Sequence, residues 1–234
     1  MMEFLILGAL VLAAILYFMF FVKDGNKGKT DGDGKAGPNG AGSASFEMTD
    51  EQKAELAKKK SEERSEALKG LVVPHSFPEM QIYFGSQTGT AEKLATQLAE
   101  EADDVGVEKC SVVDFNNFTE ETFVAHKLVV VCVATHYEGD PCDNTRNFYK
   151  WLKKLAKDKT AKPFAGVRFT IFGLGDTSYE QYNEMGKQFD TLFEQLGGTR
   201  VFDMACGNAE TFSTETDFEK WKEPLWSELF KIYA

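Results

Sequence analysis

Five strand patterns alternating with helical patterns between Met80 and Ala234 predict an α/β fold built on a doubly wound, five-stranded parallel sheet. Two observations sharpen that prediction. The run KLVVVCVAT (127–135) is apolar without alternation, as expected of a parallel strand covered on both faces. Three loops of unusual composition follow Phe84, Ala134 and Phe172, at strand carboxyl ends where such sheets bind ligands.

The elements ahead of the sheet divide the chain of 234 residues into four parts. Residues 1–23 are expected to form a transmembrane anchor. Phe4 to Val22 is almost wholly apolar, and as a helix it would reach about 28 Å, near the bilayer core thickness. Lys23 and Asp24 follow in place of a small-residue cleavage site. Lys23, Lys27, Lys29 and Lys35 then put everything beyond the helix on the cytoplasmic or an equivalent side. Residues 24–46 are rich in glycine and read as a flexible tether, with a reach of about 25 Å. Residues 47–70 read as a charged helix with few apolar positions, Leu56 and Leu68 among them, and a solvated helix is the expectation.

Residues 71–234 carry the globular domain. QIYFGS (81–86) reads as a strand, and TAEKLATQLAEEADDVG (90–106) as a helix with Leu94, Leu98 and Ala102 on one face. KCSVVDF (109–115) is a second strand and KLVVVCVAT the third. DNTRNFYKWLKKLAK (143–157) is a helix with a polar start and a basic end. VRFTIFGLG (167–175) is a strand, MGKQFDTLFEQLGG (185–198) a helix closed by glycines, and TRVFDMACG (199–207) the fifth strand. TETDFEKWKEPLWSELFKIY (214–233) is the last helix, with Pro224 as a potential kink. Trp151, Trp221 and Trp226 fall on helix faces and read as core.

A net charge of −11 argues against nucleic-acid binding and suits a basic protein partner. The four cysteines form no C-x-x-C pair, so a structural zinc site is not expected. The first loop, GSQTGTAE (85–92), sets Ser86, Thr88 and Thr90 at a helix start. Backbone N–H groups there and short hydroxyls can bind phosphate without a cation. Gly89 is followed by Thr90 and not by lysine, so the Walker pattern is absent; G-x-G-x-x-G is absent as well. An ordinary capped turn accounts for one hydroxyl and less readily for three.

Three motifs in order, GSQTGTAE (85–92), ATHYEGDPCDN (134–144) and FGLGDTSYEQYNEMGK (172–187), resemble the FMN-binding, flavodoxin-like domain of NADPH–cytochrome P450 reductase and other diflavin reductases. The LGGTRVF and WKEPLW segments resemble it too, as does an anchor and tether in front. The resemblance implies a flavodoxin-like fold with strand order 2-1-3-4-5 and FMN as cofactor. It implies a phosphate held by Ser86, Gln87, Thr88, Gly89, Thr90 and Ala91. It implies an isoalloxazine ring against the second loop, at Thr135, His136, Tyr137 and Gly139, and the third, at Leu174, Gly175, Asp176, Tyr179 and Asn183. No catalytic acid, base or nucleophile and no metal is implied.

The chain departs from that family at the ring. His136 stands where a stacking tyrosine is usual, and Tyr137 where a glycine is usual. A tyrosine resists positive φ, so it is expected to hinder the peptide movement that the glycine permits in the family. Asp176 replaces an asparagine, and Ala209 an aspartate. No FAD- and NADPH-binding region follows, so the chain is not expected to use NADPH alone. The resemblance thus implies a membrane-anchored FMN electron-transfer protein. It would relay electrons from a separate FAD/NAD(P)H reductase to a basic or heme-containing membrane-associated acceptor. Glu138, Asp140 and Asp143 are candidates for docking that acceptor. An accessory subunit of a larger membrane complex, with altered or lost flavin function, is the alternative. The endoplasmic reticulum with a cytosolic domain is the expected location; a mitochondrial inner membrane is the alternative.

Overall fold

The computed structural model describes residues 70–234 and, ahead of them, Glu55, Lys58, Lys59, Glu62, Glu63, Arg64, Glu66 and Leu68. The expected anchor (1–23) and tether (24–46) lie outside the described residues. Among the described residues no helix is long and apolar enough to cross a membrane.

The parallel strands are β1 (Met80–Gly85), β2 (Cys110–Asp114), β3 (Leu128–His136), β5 (Arg168–Gly175), β6 (Thr199–Arg200) and β7 (Ala205–Asn208). β4 (Asp140–Pro141) runs antiparallel beside the end of β3. The path is β2-β1-β3-β5-β6, with β7 also paired to β5. The sheet therefore has seven strands, not the five expected. One cause is that TRVFDMACG does not run as one strand. Phe202 O accepts the Thr170 hydroxyl at 3.0 Å and Asp203 O accepts the Trp221 indole N–H at 2.9 Å. Side-chain donors thus take carbonyls that an unbroken ladder would use, and the chain rejoins β5 only at Ala205. The other cause is β4, which pairs Asp140 with His136 and Pro141 with Thr135.

The helices are α1 (Thr90–Asp104), α2 (Glu120–Ala125), α3 (Arg146–Leu155), α4 (Glu184–Gln195), α5 (Thr214–Lys222) and α6 (Leu225–Tyr233). α2 is too short to leave a periodic pattern in the sequence; the Thr119 hydroxyl caps it by accepting the Thr122 N–H at 3.2 Å. Asp143–Thr145 form a 3₁₀ turn ahead of α3, so that helix starts three residues later than expected. Pro224 has no N–H to donate, and the expected single last helix is two.

Alternation along the central strands sends side chains into two cores. Ile82, Phe84, Val130, Cys132, Phe172 and Leu174 pack with α1, α5 and α6. Tyr83, Val129, Val131, Val133, Phe169 and Ile171 pack with α3 and α4. Leu128 to Val133 of β3 are all buried, as a strand covered on both faces requires. Trp151, Trp221 and Trp226 are buried.

The segment before the domain is not solvated throughout. Glu55, Lys58, Lys59, Glu62, Glu63, Arg64, Glu66 and Leu68 are helical, and Lys58 and Lys59 pair with exposed Glu62 and Glu63. Yet Leu68 joins the first core. Arg64 reaches Glu101 of α1 and donates to the carbonyls of Lys222 and Glu223, each at 3.0 Å. Spacing of apolar residues could not reveal that Leu68 and Arg64 reach the domain.

Candidate functional site

All parallel strands deliver their loops to one edge of the sheet, and a cavity of about 370 Å³ opens there. Its wall is formed by loops after β1, β3, β5 and β7.

β1 ends on Gly85, where any Cβ would lie 2.2 Å from the Thr145 hydroxyl, so a larger residue cannot be accommodated without movement. The chain then turns through Gly89 at φ 91° into α1. Ser86 Oγ accepts the N–H of Gly89 at 2.9 Å and of Ala91 at 3.3 Å. Capping therefore uses Ser86. The Thr88 and Thr90 hydroxyls line the cavity and make no hydrogen bond among the described residues. The first N–H groups of a helix also lack intrahelical partners and favour negative charge. The turn thus presents uncommitted hydroxyls and a helix N-terminus to the cavity, and no lysine or arginine lines it among the described residues.

On the second loop Thr135, His136 and Tyr137 line the cavity together with Ala134. Thr135 Oγ1 accepts the Met185 N–H at 3.1 Å and so braces the start of α4. The His136 and Tyr137 rings lie 4.2 Å apart between centroids. Tyr137 adopts φ 42°, a region that a tyrosine resists, and the residue is 73% exposed. On the third loop Leu174, Gly175, Asp176 and Tyr179 line the cavity. Asp176 Oδ1 accepts the N–H of Ser178 at 2.8 Å and also its hydroxyl, so this carboxylate shapes the turn that presents Tyr179.

Five of the anticipated site residues do not line the cavity. Ala91 is buried in the first core, and Gly89 shapes the turn. The Gln87 side chain donates to Asp143 Oδ2 and accepts the Asp143 N–H, both at 3.2 Å, which ties the first loop to the second. Gly139 is at φ 97°, and a Cβ there would lie only 3.2 Å from the Gln181 side chain and 3.3 Å from that of Glu184. Asn183 is fully buried beneath the third loop and donates to Gly207 O at 3.1 Å. The lining also includes Gln181, Ala209 and Thr214, of which Gln181 and Thr214 were not anticipated. The loop after the last strand was the signal to follow for Thr214. Asn144 was overlooked as well: its side chain holds the Ser86 N–H. Burial pushes the nearby Cys142 thiol up to about 11, which leaves it protonated and unsuited to nucleophilic work.

The profile of the family described as Flavodoxin matches residues 82–221. The chain belongs to the flavodoxin family. Curated relatives include NADPH–cytochrome P450 reductase of Rattus norvegicus, 38% identical over 160 residues, covering 65% of this chain and 22% of that protein. The Homo sapiens protein of the same name is 39% identical over 152 residues, covering 62% and 21%. The chain spans about a fifth of the length of these relatives. Among solved structures, a cysteine variant of a flavodoxin from Pseudomonas aeruginosa is 27% identical with a TM-score of 0.54, covering 64% of this chain and 98% of that one. Oxidised flavodoxin 1 from Bacillus cereus, at 18% identity and a TM-score of 0.54, shares the fold.

Membership implies FMN as the cofactor of this flavodoxin domain, and the residues present fit it. Uncommitted Thr88 and Thr90 hydroxyls at a helix N-terminus suit the phosphate. Apolar Ala134 and Leu174 with the rings of His136, Tyr137 and Tyr179 suit a flat aromatic ring system.

Proposed function

We propose that this flavodoxin domain is a membrane-anchored FMN electron carrier. It takes electrons from a separate FAD/NAD(P)H reductase and passes them to a membrane-associated heme protein. The observation that carries the reading is the pair of uncommitted hydroxyls, Thr88 and Thr90, in a cavity that they share with apolar Ala134 and Leu174 and the rings of His136, Tyr137 and Tyr179. Similarity to the flavodoxin region of proteins named NADPH–cytochrome P450 reductase supports the electron-transfer part.

When bound, FMN supplies one-electron chemistry at its ring. The chain's own residues bind and orient. Thr88, Thr90 and the α1 N-terminus hold the phosphate. Ser86 fixes the loop by accepting two of its N–H groups. His136 and Tyr179, which line the cavity, would flank the ring, and the Asp176 turn sets the position of Tyr179. In this reading residues 4–22 anchor the chain, in the endoplasmic reticulum with the domain in the cytosol or in a mitochondrial inner membrane. Residues 24–46 let the domain reach partners in the same membrane.

A second reading, an accessory subunit of a larger membrane complex with altered flavin function, is favoured by His136 and Tyr137 at the ring wall. One experiment addresses both. The purified chain is titrated with FMN and with riboflavin, and then supplied with a reductase and NADPH. The carrier reading expects tight FMN binding, riboflavin at least a hundredfold weaker, and bleaching of the flavin absorbance by the reductase. Bound flavin that no reductase bleaches supports the accessory subunit. No binding of FMN ends the carrier reading.

A further inference from the structure

Helices α1 and α5 run side by side, and both begin at the cavity. Lys93 of α1 lies 3.9 Å from Glu215 of α5, and one turn further along each helix the Gln97 amide donates to Glu219 at 2.6 Å. The first residues of the two helices, Thr90 and Thr214, both line the cavity. Thr90 belongs to the first loop, whereas Thr214 stands outside all three sequence motifs.

Thr214 is only 7% exposed, and its hydroxyl makes no hydrogen bond among the described residues. Its methyl group is turned to β7: a Cβ on Gly207 would lie 2.9 Å from it. The hydroxyl oxygen is not sealed from solvent, so it opens into the cavity that the residue lines. Packing alone does not account for a threonine here. A valine has the same shape and would make the same contact with Gly207, without leaving a hydroxyl unpaired in a nearly buried position.

The start of α5 offers that hydroxyl no local partner. No side chain caps the helix, and the Ser213 hydroxyl donates to Asp217 at 2.6 Å instead. Glu215 and Asp217 set two carboxylates in the first turn, which offset the positive end of the helix. The polar contact that α5 presents is therefore the Thr214 hydroxyl and not the dipole. Ala209, the other lining residue beyond β7, has no polar side chain to share the task.

We propose that Thr214 is a further FMN-binding residue, whose hydroxyl donates a hydrogen bond to an oxygen of the ribityl phosphate arm. The arm is the polar part of the cofactor, and its oxygens accept such a bond. The flat ring suits the walls at His136, Tyr137 and Tyr179 instead. The side-by-side helices also bring the start of α5 next to that of α1, where Thr90 and Thr88 stand ready for the phosphate. The inference deepens the reading of FMN as cofactor and rests on it, but it does not depend on the electron-carrier role.

The test titrates the full chain and its Thr214→Val and Thr214→Ser variants with FMN and with riboflavin, read by flavin fluorescence. Thr214→Val should weaken FMN binding about tenfold, the worth of one such hydrogen bond. Thr214→Ser keeps the hydroxyl and should bind like the wild type. An equal loss with riboflavin assigns the bond to a ribityl hydroxyl; a loss confined to FMN assigns it to the phosphate. Without flavin, Thr214→Val should melt no lower than the wild type, since it removes an unpaired hydroxyl. Unchanged FMN affinity in Thr214→Val overturns the proposal. So does a flavin-free Thr214→Val chain that melts well below the wild type, which would make the hydroxyl structural. A shift in the absorbance maxima of bound FMN overturns it too, by placing the contact at the ring. A wild type that takes up no FMN refutes the cofactor reading itself; wild-type binding that Thr214→Val leaves intact refutes this inference alone.

Discussion

The side-chain carbonyl of Asn144 accepts the backbone N–H of Ser86 at 3.1 Å, so the 3₁₀ turn after the second loop holds the entrance of the first. The same side chain donates to Asp114 Oδ1 at 3.2 Å and to Phe84 O at 3.4 Å, and it receives the Thr145 hydroxyl at 3.1 Å. One nearly buried amide therefore joins β1, β2 and the phosphate-side turn. Replacing it with Ala leaves a buried N–H and a carbonyl unpaired, at a cost of about 1–3 kcal/mol in stability. The turn that presents Thr88 and Thr90 loses its fixed entrance, so FMN affinity should fall roughly tenfold, equivalent to about 1.4 kcal/mol. Fluorescence titration of Asn144→Ala with FMN reads the second effect and urea unfolding the first. An unchanged affinity would mean that Ser86 is held well enough by its own hydroxyl contacts.

Tyr137→Gly should make the protein more stable. The tyrosine sits at φ 42° with most of its ring in water, and the left-handed region costs a non-glycine residue about 1–2 kcal/mol. Glycine removes that cost but loses some backbone entropy and the contact with His136 at 4.2 Å. The net gain expected is about 1 kcal/mol, or a rise of roughly 2–4 °C in melting temperature for a domain of this size. A lower melting temperature would show that the ring pair outweighs the backbone strain.

The two preceding residues also mark how far the sequence could be read. The long central strands and amphipathic helices were legible because burial on one or both faces imposes a pattern that local sequence carries. The cavity wall was legible at Thr88 and Thr90 because their residue type fits the chemistry, and at Leu174 because its motif resembles the family's third loop. What stayed hidden depends on contacts between distant segments. The break after Arg200 arises from donors on Thr170 and Trp221, and no window around residue 200 contains them. Asn183 and Gln87 were placed at the ligand because their motifs lie there, but their amides face other loops. Asn144 was the converse: its position in the second motif was visible, its bond to Ser86 was not.

Removing Glu101 should be costly. Its carboxylate is almost fully buried, in contact with Arg64 on one oxygen and 3.3 Å from Lys222 Nζ on the other. The second contact is an ion pair outside hydrogen-bond geometry, since that oxygen has no hydrogen-bond donor. Lys222 is equally buried and keeps Glu219 as a second partner at 3.3 Å. Glu101→Ala leaves Arg64 and Lys222 short of a counter-charge, and breaking such a pair costs about 3–5 kcal/mol. The triple change Glu101→Leu, Arg64→Leu and Lys222→Met should recover most of that loss, because apolar replacement of a whole buried cluster is often neutral. Urea unfolding checks both variants. Limited proteolysis should also cut the Glu101→Ala protein faster around residues 60–70, because Arg64 ties that segment to Glu101 of α1. A Glu101→Ala protein within 1 kcal/mol of the wild type would refute the argument.

His126 should make stability sensitive to mild acid. The Tyr83 hydroxyl lies 3.0 Å from His126 Nε2, and a neutral imidazole can accept its proton there. Burial lowers the His126 pKa, and the nearby Glu79 carboxylate opposes this only in part. The unfolded chain therefore takes up a proton near pH ~6.5 that the folded chain still refuses. Below that pH the unfolded state binds more protons, so stability falls with acidification; above it, this contribution is fully present and flat. Tyr83 acts at the other end of the scale. Burial pushes its hydroxyl up to about 12 from an ordinary value near 10, so its contribution is present below pH 10 and is lost between 10 and 12. Urea unfolding of the wild type from pH 7.5 down to 5 should show a steeper loss than His126→Gln, which cannot titrate. Tyr83→Phe should keep the acid-side slope, since burial of the imidazole is its main cause, and remove the alkaline one. If the wild type and His126→Gln lose stability in parallel between pH 7 and 5, the carboxylates govern that range and the Tyr83–His126 contact has no part in it.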